Sequence, residues 1–479
     1  MHERSSVAEL AATLKQELDR YSPGGKLPSS RALVERYRVS PVTVSRALAR
    51  LAAEGLVVTR PGAGAFRAQP RATGTPAAGD TSWQEVALSA DSSTELVPRS
   101  VDASGVLVTL AAPPTGVVEF NGGYLHPSLQ PERALAAALA RAGRRPGAWS
   151  RPPTDGLHEL RDWFAREIGG TVTAADVLVT AGGQAAIATA LRALAPPGAP
   201  VLVESPTYPG MLAVARAAGL RPVPVPTDRD GVRPDLLAAA FRATGARVFV
   251  VQPLFQNPTG AALPVERRRE VVRIAREAGA FVVEDDFARH LVHEDAGRLP
   301  APLAADDPDG VVVHVRSLTK IASPSLRVGA LAARGPVLER LRAIQVVDTF
   351  FVPRPLQEAA LELVGSPAWS RHLRSVAAEL QSRRDALAAA LALHLPELAL
   401  THLPSGGHQL WLRLPDTLDE PALVAAALRA GVAVAPGRPY FCAEPPAGHV
   451  RLGFAAVAGP AELAEGVRRL RAARDELRR

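Results

Sequence analysis

The sequence predicts a multidomain chain: a small helical unit ending in a hairpin, then a large α/β unit with a smaller α+β lobe at its C-terminus. Two observations predict this. Three separately capped helical segments and a glycine-tipped turn fill residues 1–68, and apolar strand candidates alternate with Ala-rich helices from about residue 105 to 360. Between them, residues 69–100 are rich in Pro, Ala, Gly, Ser and Thr without a sustained period, so a linker is placed at 69–104.

The chain has 479 residues, more than one ordinary core accommodates. Its 47% hydrophobic and 22% charged residues exclude wholesale disorder. Cys442 is the single cysteine, which excludes an intrachain disulfide framework and a multi-cysteine zinc site. No metal site is expected. Charges are scattered through Met1 to Arg20, so no signal peptide is expected there. No run of about 18 apolar residues occurs, so no membrane span is expected. A cytoplasmic protein is the expectation.

In the first unit Ser6 and Glu9 predict a capping box, with Val7, Leu10, Leu14 and Leu18 as one apolar stripe. Ser29 caps a second helix running to about Tyr37. Ser40 caps a third, with Pro41 at its first position and Gly55 after its end. Val44, Leu48 and Leu51 form that helix's buried face, and Thr43, Arg46 and Arg50 are expected on the opposite one. Leu56 to Thr59, a turn at Pro61-Gly62-Ala63-Gly64, and Ala65-Phe66 predict the hairpin. Three helices and a hairpin make a winged helix-turn-helix.

Charge supports a nucleic-acid partner for this unit. Residues 1–68 carry eleven Lys and Arg against six Asp and Glu, most of the net +7 of the whole chain. Arg46 and Thr43 lie in the N-terminal half of the third helix, where side chains reach base edges. Arg31 opens the second helix, where it can meet a phosphate oxygen. The Gly62-Ala63-Gly64 tip is slim enough to approach the DNA backbone or minor groove. Composition alone leaves open a plain helical bundle with exposed arginines.

The motifs narrow the choice. Lys26-Leu27-Pro28-Ser29-Ser30-Arg31, Val39-Ser40-Pro41-Val42-Thr43-Val44-Ser45-Arg46-Ala47-Leu48, and Glu54-Gly55-Leu56 through Gly62-Ala63-Gly64 closely resemble the GntR-type winged-helix domain. The resemblance implies that Arg31, Thr43, Arg46, Gly62 and Gly64 meet operator DNA. Pro41 stands where many such domains have an arginine.

In the second unit the strand candidates are 177–180, 200–203, 221–225, 247–252, 280–284, 311–316 and 327–333, which predict a largely parallel, doubly wound sheet. Residues 365–479 predict the smaller lobe, with strands at Leu410-Trp411-Leu412 and Gly431 to Val434.

Lysine usage singles out one residue. Of 55 basic residues only Lys15, Lys26 and Lys320 are lysines, so Lys320 stands alone after residue 68. It follows the carboxyl end of strand 311–316, where ligands of open sheets sit. Only a primary amine bonds covalently with an aldehyde; arginine cannot substitute.

Other residues can be arranged around a pyridoxal 5'-phosphate (PLP). Asp285 or the adjacent Asp286, equal candidates on spacing, can hold the pyridine nitrogen protonated. Asn257, in Gln256-Asn257-Pro258-Thr259-Gly260, can donate to the phenolate oxygen. Gly182, Gly183 and Gln184, between a strand and a helix N-terminus, make a phosphate cradle. Ser317 and Arg327 can complete it. Tyr208 can stack on the ring, and Arg451 can fork onto a carboxylate.

In this order and on these elements the motifs closely resemble the fold-type I aminotransferase domain, and the whole chain resembles the MocR subfamily of GntR-type regulators. The stretch Arg371-His372-Leu373-Arg374 with Arg383-Arg384-Asp385-Ala386-Leu387 resembles the subfamily's small lobe. The resemblance implies Lys320 as the cofactor-bearing lysine, Asp285 at the ring nitrogen, Asn257 at the phenolate and Tyr208 on the ring. It places Gly182, Gly183, Gln184, Ser317 and Arg327 at the phosphate, and Arg451 on the carboxylate of a substrate.

Two departures stand out. Phe287 occupies the place of a tyrosine that usually bonds the phenolate, which removes a hydrogen bond worth about 0.5–1.5 kcal/mol net. Trp149-Ser150-Arg151-Pro152-Pro153-Thr154-Asp155, just before Gly156-Leu157, holds no tyrosine, where the family usually has one that supplies a phosphate contact from the partner subunit.

The sequence therefore predicts a PLP-binding transcriptional regulator that senses the cofactor, an amine or an amino acid, acting as a homodimer on operator DNA. A working aminotransferase with a secondary DNA-binding module is the alternative. A PLP fold kept only as a dimerisation scaffold is a third, disfavoured by the intact set of Lys320, Asp285, Asn257 and Arg451.

Overall fold

The structure is a computed structural model that describes residues 2–60, 63–68, 102–400 and 402–478. The chain divides into two compact units, Met1–Thr94 and Glu95–Arg479. The linker placed at 69–104 falls, up to residue 101, outside the described residues.

The first unit consists of α1 (His2–Glu17), α2 (Ser30–Tyr37), α3 (Pro41–Ala53) and an antiparallel hairpin of β1 (Val57–Arg60) and β2 (Gly64–Arg67). Leu10, Leu14, Leu33, Val44, Leu48, Leu51 and Val57 form its core. Ser29 Oγ accepts from Ala32 N at 3.2 Å and Ser40 Oγ from Thr43 N at 3.1 Å, so both expected caps are made. The capping box expected at Ser6 is not at a helix start. α1 begins at His2, because no glycine or proline between there and Ser6 interrupts it.

The second unit is built on an eight-stranded sheet. Its strands are β4 (Val177–Thr180), β5 (Pro200–Ser205), β6 (Arg221–Asp228), β7 (Gly231–Val232), β8 (Val248–Val251), β9 (Phe281–Asp285), β10 (Val312–Ser317) and β11 (Gly329–Ala332). Their spatial order is β4-β11-β10-β9-β8-β5-β6-β7. The central run from β10 to β6 is parallel, and β11 runs antiparallel to both β4 and β10. Strands β4, β8 and β10 are buried along their whole length, because apolar side chains cover both faces of the sheet.

This order gathers chain segments distant in sequence. The carboxyl ends of β8, β9 and β10 point to one edge, carrying Gln252, Asp285 and Ser317 in turn. The antiparallel return into β11 brings Arg327 back to the same edge. A close approach demands glycine here: a Cβ on Gly329 would lie 2.6 Å from Arg316 O and 3.1 Å from Gly182 Cα.

The C-terminal lobe has a four-stranded sheet in the order β12 (Ala399–Leu400), β13 (Gln409–Arg413), β16 (His449–Gly453), β15 (Ala435–Pro436). A separate pair joins β14 (Val432–Ala433) in parallel to β3 (Val118–Glu119). Residues 118–124, far upstream in sequence, thus run along this lobe and deliver Gly123 and Tyr124 to Lys320. Among the described residues no helix is long and apolar enough to cross a membrane.

Candidate cofactor and DNA sites

Lys320 is a half-buried amine. It lies three residues past β10, and its Nζ donates to Gly123 O at 2.7 Å and sits 4.0 Å from the centre of the Tyr124 ring. Burial, then the positive field of Arg451, lowers its pKa to about 7, with Asp285 opposing and Arg327 adding to the shift. A lysine so shifted has a large neutral fraction near neutral pH, the state in which an amine is a nucleophile.

Asp285 lines the same cavity, and burial raises its pKa to about 6. Gln252 Nε2 donates to its Oδ2 at 2.7 Å. Asp286 turns away. Its Oδ2 accepts from Arg289 Nε at 2.5 Å and Arg316 Nη1 at 3.0 Å. Burial alone would raise its pKa, yet Arg316 and Arg289 hold it well below the usual carboxylate range. Spacing left the two carboxylates equal; the structure puts only Asp285 with Lys320.

Asn257, Gln184, Tyr208, Ser317 and Arg327 line this cavity as well, and Gly183 is part of its wall. The backbone N–H of Asn257 donates to Gln252 Oε1 at 3.0 Å, while its Oδ1 has no partner among the described residues. Gly182 is the N-cap of α7 (Gly183–Leu194), with φ +87°. A Cβ there would lie 2.9 Å from Arg327 Nη2 and 3.2 Å from Thr319 Oγ1, so only glycine leaves this space open. Arg327 itself has φ +48° and donates from Nη2 to Ala181 O at 2.8 Å. Such a backbone is costly for a non-glycine residue and is found where a site requires it. Ser317 Oγ donates to Thr319 Oγ1 at 2.8 Å.

This donor set fits PLP. An amine for the aldehyde and a carboxylate for the ring nitrogen stand in one cavity. A helix N-terminus, two hydroxyls and a guanidinium surround a space kept open by Gly182, which suits a phosphate dianion. The buried Gln184 Oε1 and Asn257 Oδ1, unpartnered among the described residues, mark the same cavity as built for a polar occupant.

Arg451 lies on a strand of the C-terminal lobe and does not itself line the cavity. It is buried on β16 behind His408, which does line it. Sequence reasoning also missed Gln252, Thr319 and Tyr124. Gln252 was findable, because it directly follows the carboxyl end of β8. Thr319 lies inside the motif around Lys320, and Tyr124 is one of only five tyrosines. His408 follows Gly406-Gly407 and carries no distinguishing pattern.

In the first unit Arg31 and Arg46 are exposed and make no hydrogen bond or ion pair among the described residues. Thr43 corrects the expectation for it. It is buried, and its hydroxyl pairs with Ser40 Oγ at 2.8 Å, because in the first turn of α3 it lies at the edge of the stripe containing Val44 and Ala47. Val42 takes the outward position there, 52% exposed. Gly64 opens β2 with φ +107°; Gly62 lies outside the described residues.

Comparison with known proteins agrees with this geometry. Residues 121–470 match the family described as Aminotransferase class I and II, and residues 7–66 match the bacterial regulatory proteins of the gntR family. The chain is 33% identical over 359 residues to 2-aminoadipate transaminase of Thermus thermophilus, covering 74% of this chain and 89% of that one. It is 28% identical over 470 residues to the HTH-type transcriptional regulator TauR of Rhodobacter capsulatus, covering 94% and 92%. The crystal structure of LysN, α-aminoadipate aminotransferase of Thermus thermophilus, complexed with N-(5'-phosphopyridoxyl)-L-leucine, superposes with a TM-score of 0.73 at 32% identity, over 79% of this chain and 96% of that one. The class is therefore a fold-type I, PLP-dependent aminotransferase fold joined to a DNA-binding helix-turn-helix. The chain belongs to the aminotransferase class I and II family, in the branch that carries an N-terminal GntR domain.

Proposed function

We propose that this protein is a cytoplasmic transcriptional regulator that binds operator DNA as a homodimer and changes its affinity when its PLP site meets an amine or amino acid. One observation carries the reading. The same chain that presents an exposed Arg46, unpaired among the described residues, on a capped helix keeps its one body lysine, Lys320, half-buried with a pKa of about 7.

When bound, PLP supplies an aldehyde carbon open to amines and an electron-withdrawing ring. Lys320 would provide the amine that holds it. Asp285 would keep a proton on the ring nitrogen, steadied by Gln252. Asn257 would donate to the phenolate oxygen, and Tyr208 would cover the ring. Gly183 and Gln184 at the α7 N-terminus, with Ser317 and Arg327, would hold the phosphate in the space that Gly182 leaves. Arg451 attracts the ligand's carboxylate. Arg46 reads a base edge and Arg31 meets a phosphate, with Gly64 at the wing.

Exposed apolar side chains support the dimer. Trp149, Val347 and Phe350 are 83%, 78% and 69% exposed. Their segments adjoin, since Gln345 Nε2 donates to Thr154 O at 3.4 Å. Apolar surface of this kind marks a protein interface.

The test is operator binding by the purified protein, without ligand and with PLP, pyridoxamine phosphate and a panel of amino acids. A ligand-dependent change in affinity supports the reading. Indifference to every ligand, with steady turnover of an amino acid, supports instead the aminotransferase reading that the intact Lys320 and Asp285 would allow.

A further inference from the structure

Arg451 is a buried cation without an anion. Its guanidinium forms no ion pair among the described residues. Nη1 reaches the carbonyls of Asn121 and Gly122 only at 3.4 and 3.3 Å, and Nε has no partner there. Tyr440 stands beside it, and Nη2 donates to His408 Nε2 at 3.2 Å. A buried charge left with long, neutral contacts favours an incoming anion.

His408 stands between that cation and the cavity. Its ring lies edge-on to Phe287, 6.2 Å between centres. A Cβ built on Gly123 would sit 3.4 Å from Lys320 Nζ and 3.8 Å from His408 Nε2, so imidazole and amine flank the same gap. Because Nε2 accepts from Arg451, the proton of the neutral ring is assigned to Nδ1, which is buried and unpartnered among the described residues. Burial, then Arg451 and Lys320, pushes the His408 pKa well below its ordinary value. The ring stays neutral at neutral pH and remains an acceptor.

We propose that His408 is a specificity-determining latch on Arg451: the imidazole occupies the guanidinium until a ligand carboxylate replaces it. This rests on Arg451 being the carboxylate partner. An acid then gains only the difference between its own bond to Arg451 and the one His408 gives up. The site consequently discriminates weakly between an amino acid and the matching amine, and admits both.

The test is calorimetric binding of L-alanine and of ethylamine to the full-length, PLP-loaded protein, compared as the ratio of affinities. The intrinsic difference between the two amines cancels between variants. His408→Met, of similar bulk without an acceptor for Arg451, is expected to raise the alanine-to-ethylamine ratio about tenfold. His408→Gln keeps an acceptor and is expected to stay within about twofold of wild type. Melting curves and the visible spectrum verify that each variant is folded and loaded. A His408→Met protein that binds alanine no more tightly, relative to ethylamine, than wild type overturns the latch. Separately, if Arg451→Met leaves the wild-type ratio unchanged, the assignment of the carboxylate to Arg451 fails, and the latch with it.

Discussion

Asp285 and Asp286 are neighbours in sequence with opposite fates: one faces Lys320 across the cavity, and the other is clamped by Arg289 and Arg316 outside it. Strand geometry requires this, since successive side chains at the end of β9 point to opposite faces. Their electrostatics diverge accordingly. Burial raises Asp285 to about 6, while two guanidinium groups hold Asp286 low.

The pair gives a discriminating experiment. Asp285→Asn is expected to weaken PLP retention about 10- to 100-fold, the scale of a charged hydrogen bond, with thermal stability unchanged or slightly raised because a strained buried charge is removed. Asp286→Asn is expected to destabilise the C-terminal unit by about 3–5 kcal/mol, because it breaks a buried charge cluster, leaving Arg289 without a carboxylate and Arg316 with Glu167 alone at 3.3 Å. Dialysis against PLP-free buffer and thermal unfolding measure the two effects. The reverse assignment would exchange these outcomes.

Spacing could not separate these two carboxylates, and the reason is physical. What decides between them is Arg316, thirty residues further on, which only the pairing of β9 with β10 brings into reach. Strand and helix alternation was readable because apolar periodicity is local. Lys320 was readable because a chain that uses arginine almost everywhere leaves its lysines conspicuous. Arg451 was readable as a charge in the small lobe, but its contact with His408 was not, since His408 reaches it only across the lobe's own sheet. Thr43 misled because a helical wheel gives direction and ignores the pull of Ser40 Oγ on a first-turn hydroxyl.

Lys320 predicts a pH profile. Capture of PLP by the cofactor-free protein needs the neutral amine, and burial with the field of Arg451 brings its pKa to about 7. The neutral fraction rises with pH and is nearly complete about one unit above that value. The capture rate is expected to climb about tenfold per unit below pH 7 and level off above about pH 8. Stopped-flow absorbance follows it. A rate still climbing at pH 10 would indicate an ordinary exposed lysine. Lys320→Ala is expected to retain no cofactor after borohydride reduction, as no other lysine follows residue 68.

The DNA unit separates reading from anchoring. Arg46→Ala is expected to lose about 1–3 kcal/mol of discrimination at one base pair. Arg31→Ala is expected to weaken binding to all sequences and to reduce the salt slope by about one. Thr43→Val is expected to leave discrimination intact and to cost the unit about 0.5–1.5 kcal/mol, since its hydroxyl serves Ser40 rather than DNA. Fluorescence anisotropy on operator and random duplexes, across salt, reads all three. Equal losses on both duplexes for Arg46→Ala would remove it as a base reader.

The exposed Trp149, Val347 and Phe350 predict assembly. Phe350→Asp combined with Trp149→Asp is expected to convert a PLP-loaded dimer to monomer at micromolar concentration, because charge on both segments would have to be buried at the interface. Light scattering distinguishes the states. A wild-type monomer under the same conditions would contradict the dimer outright.

Regulation, rather than turnover, is the expected output of this combination. The first unit concentrates positive charge and presents an exposed Arg46 and Arg31, both unpaired among the described residues, features that a metabolic enzyme does not use. In the second unit Phe287, which has no hydroxyl to donate, lines the cavity, and His408 accepts from Arg451. Both features are expected to spare cofactor capture more than fast catalysis. Binding of an amine or amino acid is therefore expected to shift operator affinity, while multiple-turnover transamination stays far below the ordinary enzyme median of about 10 per second. The coupling is reciprocal: if ligand changes operator affinity by some factor, saturating operator DNA changes ligand affinity by that same factor. Paired titrations, ligand into protein with and without operator and operator into protein with and without ligand, close the thermodynamic cycle. Unequal factors would show that the two measurements report different states of the protein, and two factors of one would break the link between site and DNA.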